Sequence, residues 1–97
     1  MGKQAFEEKL QLELSALQAA IRILETRQAA EPDRDRVQDS GTRALLDRRR
    51  QVVAERLDRL RREGNGWWVN LRDEVENEWD DLVRALAGDP ISSVMRH

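Results

Sequence analysis

Leu10, Leu14, Leu17, Ile21 and Leu24 follow one another at intervals of four, three, four and three residues. That alternation is the seam along which the helices of a coiled coil meet. The rule recurs twice further on. Leu46, Val53, Leu57 and Leu60, broadened by Leu45 and Val52, line one side of a second helix. Trp68, Leu71, Val75, Trp79, Leu82 and Leu86 line a third. Each helix has an apolar side that needs a neighbour, so the chain must fold helix on helix.

The breaks between these stretches carry the usual stop signals. Pro32, in Glu31-Pro32-Asp33-Arg34-Asp35, has no N–H to give to a helix and biases the residue before it toward extended geometry. Asp33 or Asp35 can cap the second helix, and Gln38 lies three residues after Asp35 as in a capping box. That helix restarts at 34–36 and runs to Glu63, or firms up only after the weak Ser40-Gly41-Thr42. Gly64-Asn65-Gly66 then succeeds a basic last turn containing Arg61 and Arg62. The series Leu46, Arg50, Val53, Leu57, Leu60, Gly64, Trp67, Leu71 keeps its spacing through Gly64, so one fused helix is the alternative. Two glycines within three residues cost a helix interior ~2 kcal/mol, which favours a turn. A turn also leaves the first two helices matched at ~40 Å each. The spacing thus predicts an all-α antiparallel three-helix bundle, up-down-up. Its helices span about 3–30, 34–63 and 67–87, in a single domain of residues 1–90 with a loose tail at 91–97.

Composition removes most chemistry. With no Cys there is no disulfide, zinc–thiolate site or thiol nucleophile, and the only His is the last residue, His97. No Ser–His pair, Glu-x-x-His metal motif or phosphate-cradling glycine loop is present. The expectation is a non-enzymatic protein with no catalytic residue, cofactor or bound metal. Glu74, Glu78 and Asp81 do face one way, as a shared cation would need, but such a cluster is more often a solvated face. The N-terminal stretch alternates charge with apolar residues, unlike a signal peptide, and no apolar run nears the ~20 residues of a membrane span. The cytoplasm is the default compartment.

The charges are sorted along the chain. Residues 34–62 carry ten Arg against five acids, and residues 63–89 carry eight acids against two Arg. Arg43, Arg50 and Arg61 border one edge of the second apolar stripe, Arg49 and Arg56 the other. Glu74, Glu78 and Asp81 border one edge of the third stripe, with Glu76 on the other. Such edge positions choose partner and orientation in coiled coils, so the second and third helices are expected to pair through them. The rival reading is a regulator binding nucleic acid along Arg48-Arg49-Arg50 and Arg59-Arg61-Arg62. A pI near 5.5 and aromatics confined to the acidic segment argue against it.

Two features are left over. On the first helix Ala5, Leu12, Ala16, Ala19, Ile23 and Ala30 form a second apolar side, opposite the seam. Such a helix sits between two others, or touches one helix of its own chain and one of a partner in a homo-oligomer, unless Leu12 and Ile23 are stray surface residues among alanines. Trp67 lies off the third stripe, beside the glycine turn. Leu12, Ala16, Ala19, Ile23 and Trp67 are accordingly the candidate partner interface, and Trp is a frequent anchor of such surfaces. A reversible membrane-surface role for Trp67 and Trp68 is the remaining alternative, opposed by the acidic charge around them.

Phe6-Glu7-Glu8-Lys9-Leu10 near the start, and Trp68, Leu71, Val75, Trp79, Leu82 and Leu86 near the end, make a pattern that spans nearly the whole chain. It resembles small uncharacterised bacterial coiled-coil proteins, sometimes labelled as stress-response proteins. The Gly64-Asn65-Gly66 break and the doubled Trp67-Trp68 depart from that pattern. The resemblance implies a helical fold, and it brings no activity and no catalytic residues.

Overall fold

A computed structural model of the 97-residue chain describes residues 2–33, 36–63 and 66–95. Among these residues the fold is all-α: α1 Lys3–Ala30, α2 Arg36–Arg62, a 3₁₀ segment Gly66–Leu71, α3 Arg72–Ala85 and α4 Ser92–Met95. Gly64 and Asn65, on which the choice between turn and fused helix rests, lie outside the described residues.

Helix α1 begins with the Phe6 N–H donating to the Gly2 carbonyl and ends with the Glu31 N–H donating to the Arg27 carbonyl, just ahead of Pro32. Helix α2 passes through Ser40-Gly41-Thr42 unbroken. Glu25 pairs with Arg43 at 2.8 Å and Glu7 with Arg61 at 2.9 Å, so the two helices run antiparallel. Glu7 and Glu25 lie eighteen residues apart, as do Arg43 and Arg61. That separation is about five helical turns, which returns each residue to the same edge of its helix.

The third helix does not start as an α-helix at Trp67. Residues 66–71 wind as 3₁₀, and the α-helix begins only at Arg72. Aromatic and β-branched side chains lose rotamer freedom in an α-helix, and 3₁₀ turns are common where one starts. The tighter winding splays the two tryptophans. Trp68 stacks on the buried Phe6 of α1 at a centroid distance of 5.5 Å. Trp67 lies under the Arg59 guanidinium of α2, 4.1 Å from its ring centroid.

Of the tail expected to be loose at 91–97, residues 91–95 are packed, and Arg96 and His97 lie outside the described residues. Ile91 and Met95 are fully buried in the common core, and α4 rests against α1. The Trp79 indole N–H donates to the Met95 carbonyl at 3.1 Å, which satisfies the polar end of a buried ring. Asp89 begins the turn: its carboxylate accepts the Ile91 N–H at 3.1 Å, and its carbonyl accepts the Ser92 N–H. Gly88-Asp89-Pro90 therefore does two jobs. It stops α3 and also starts α4, because Asp is a good N-cap and Pro fits the first turn. The expected three helices become four.

Because Met95 is fully buried, Met95→Ala should destabilise the protein by about 3 kcal/mol. A matching fall in the urea midpoint, monitored by circular dichroism, would show it. An unchanged midpoint would mean the tail contributes nothing to the core.

Candidate functional site: buried charges and an uncovered face

The buried residues of α1 are Phe6, Leu10, Glu13, Ala16, Leu17, Ala20, Ile21 and Leu24. Among them Phe6, Leu10, Glu13, Leu17, Ala20 and Leu24 keep a four–three spacing that Arg27 continues. The seam read through Leu10, Leu14, Leu17, Ile21 and Leu24 packs in the core, Leu14 only partly buried, and this second series runs beside it. The second series puts one acid and one base in line with the core residues. Sequence reasoning missed both, because tracing apolar residues alone steps over a charge and takes the apolar neighbour.

Glu13 is only 2% exposed and faces charges from all three long helices. Lys9 lies on its own helix, Arg49 and Arg56 on α2, and Glu78 on α3. Burial dominates and raises its pKa to about 7 despite the cations. Its Oε1 has no hydrogen-bond partner among the described residues, as suits a carboxyl that is readily neutral. Glu78 behaves oppositely. Its carboxylate accepts from Arg56 at 2.7 Å and from Arg49 at 2.8 Å, and the Arg56 hydrogen bond leads in lowering its pKa. Two carboxyls in one layer are thus pushed apart, one toward the acid and one toward the anion.

Near the other end of α1, Arg27 is 13% exposed and joins three segments. It donates to Asp89 through both terminal nitrogens, at 2.7 and 3.0 Å, and to Asp39 of α2 at 3.1 Å. Asp39 is itself 2% exposed. The bidentate bond to Asp89, first among the causes, holds the guanidinium more firmly protonated than usual.

Of the edge charges expected to join α2 to α3, Arg49, Arg56 and Glu78 do meet. The others do not keep to the expected pattern. Arg43 and Arg61 pair with α1, and Arg50 approaches Asp47 of its own helix at 3.7 Å. Glu76 pairs with Lys9 of α1, and Asp81 with Arg84 of its own helix at 3.6 Å. Glu74 is exposed and acts on Arg56 only through its charge. The reason is geometric: α1 offers acids to α2 and a lysine to α3, so each helix finds countercharges on two neighbours.

The candidate partner residues separate in the same way. Leu12 is 60% and Ile23 39% exposed, and Ala19 is partly covered. Ala16 is a correction, since it is buried within the protomer's own core. Trp67 is half-buried rather than projecting; it packs against the core and its indole N–H is enclosed without a partner among the described residues. On the same side of α1 as Leu12, Ala19, Arg22, Ile23, Thr26, Arg27 and Ala30 line an open groove of about 470 Å³. Among the described residues no group of three or more metal-ligating side chains converges, and no helix is long and apolar enough to cross a membrane.

No protein-family model matches this chain, and no curated protein or solved structure shows significant similarity to it. The likeness to bacterial coiled-coil proteins therefore stays a likeness of heptad pattern.

Glu13 makes stability depend on pH. The folded pKa of about 7 lies above the ordinary 4.5, so the fold favours the neutral form. The stability this contributes is complete below pH 4.5 and is lost as pH rises through 7. Glu13→Gln should match the parent at pH 4.5 and exceed it at pH 8 by up to about 3 kcal/mol. Urea unfolding at both values measures the difference, and a gap independent of pH would show that Glu13 titrates normally. Arg27→Ala should cost roughly 3–5 kcal/mol, because it removes the largely buried cation that Asp39 and Asp89 share. Calorimetric unfolding near neutral pH would show a loss of that size, and a loss under about 1 kcal/mol would class the cluster with surface ion pairs.

Proposed function

We propose that this chain is a non-enzymatic helical interaction module of the cytoplasm. In this reading its working unit is an up-down-up bundle of α1, α2 and α3 that self-associates through the outer side of α1. The observation that carries the proposal is the uncovered face formed by Leu12, Ala19 and Ile23, with Ala5 and Ala30 at its ends. Val37, Leu45, Val69 and Val94 are also exposed, but this face brings two large apolar side chains, Leu12 and Ile23, onto one side of one helix with alanines between and beyond them. The absence of Cys and of any internal His supports a role without covalent or acid–base chemistry. The nucleic-acid alternative loses support because the arginines of α2 are engaged: Arg43, Arg49, Arg56, Arg59, Arg61 and Arg62 all have carboxylate partners. The membrane alternative loses support because Trp67 and Trp68 are packed against the core.

Sedimentation equilibrium tests the proposal. The parent protein should rise in apparent mass with concentration, and Leu12→Glu should return it to the monomer with its helical circular dichroism unchanged. A parent that stays monomeric at every concentration would overturn the reading.

A further inference from the structure

The outer side of α1 reads nearly the same in both directions. Its exposed residues Ala5, Leu12, Ile23 and Ala30 are separated by seven, eleven and seven residues, a series symmetric about the point between Leu17 and Gln18. If a second helix of the same sequence is laid antiparallel on that point, Leu12 falls opposite Ile23 and Ala5 opposite Ala30. Large residues meet large ones away from the centre, and the residues of this face nearest the centre are the partly covered Ala19 and the buried Ala16, small enough for close approach. A closed two-fold pair requires this kind of self-complementary surface, in which one residue meets a second and the second meets the first.

The relief of the surface agrees with the spacing. In that register Leu12 of the second copy, 60% exposed in the free chain, arrives over the hole formed by Ala19, Arg22, Ile23 and Thr26. Those four residues, at i, i+3, i+4 and i+7, are the geometry of a knob entering a hole. They also line the groove of about 470 Å³, which is open and roomier than one leucine needs. The two-fold axis repeats the contact on the other helix. Arg22 can lay its aliphatic stem over the inserted leucine while its charge stays in water.

We infer that the occupant of this groove is Leu12 of a second copy of this chain, in a two-fold antiparallel pairing of α1 against α1. The inference rests on the self-association proposed above and adds its geometry. Area decides the strength. A stripe from Ala5 to Ala30 is ~38 Å long and about 10 Å wide. It covers about 400 Å² per copy and about 800 Å² in all, short of the ~1,200 Å² of stable interfaces. The pair is therefore a weak, reversible dimer.

Because the chain has no cysteine, single substitutions report the orientation directly. Leu12→Cys and Ile23→Cys proteins, mixed in equal amounts at high concentration and mildly oxidised, should form the mixed disulfide and little of either like pair. In the antiparallel register two Leu12 positions lie ~16 Å apart along the helix axis, beyond the ~7 Å Cα limit of a disulfide. Predominant like pairs would show a parallel arrangement, and a statistical mixture would show unspecific contact. Either result overturns this inference while leaving self-association standing. A parent that remains monomeric in the sedimentation experiment would remove both.

Discussion

The first helix puts two charged residues, Glu13 and Arg27, in line with its core. An apolar seam lets helices slide by a heptad at small cost, whereas a buried charge must find its counterpart or stay unpaired. Arg27 has bonds to Asp39 of α2 and to Asp89 beyond α3, so it sets the level at which both lie against α1. Glu13 lies two heptads earlier, where Arg49 and Arg56 of α2 meet Glu78 of α3. Between these two levels the core residues of α1 are aliphatic. The polar levels fix the register that the apolar ones leave open.

The sorted charges take on a different meaning in this light. A basic stretch ahead of an acidic one suggests two helices satisfying each other, and Glu78 with Arg49 and Arg56 does so. Yet Glu7 and Glu25 of α1 hold the two ends of α2, and Lys9 of α1 holds Glu76 of α3. The helix with the least conspicuous charge pattern is the one that organises both neighbours. Exposed pairs of this kind are individually worth ~0–1 kcal/mol, so they select the arrangement more than they stabilise it.

Asp89 joins this organisation to the end of the chain. One carboxylate accepts the two nitrogens of Arg27 and the N–H of Ile91, so the corner that anchors α3 also starts α4. Helix α4 then brings Ile91 and Met95 into the core against α1. With α2 and α4 resting against α1, Ala16 is buried, and the part that stays open is the strip of Leu12, Ala19 and Ile23. A helix with one side left over is suited to meeting another helix.

Periodicity alone determined that the chain is helical, where α1 and α2 lie, that Pro32 separates them, and that α1 has two apolar sides. These are consequences of local rules, since helix propensity, proline geometry and the 3.6-residue repeat act within a few residues of each other. The 3₁₀ start at Gly66–Leu71 and the helix Ser92–Met95 were not legible in the same way. The second is too short to form without the core it enters, although the Asp-Pro start and the spacing of Ile91, Val94 and Met95 did signal it. Only the tertiary structure decided that Glu13 and Arg27 are inside and that Leu12 is outside. Burial belongs to the place where other helices arrive, and a charge takes a seam position when those helices bring its counterparts from residues 12, 36 and 62 positions away.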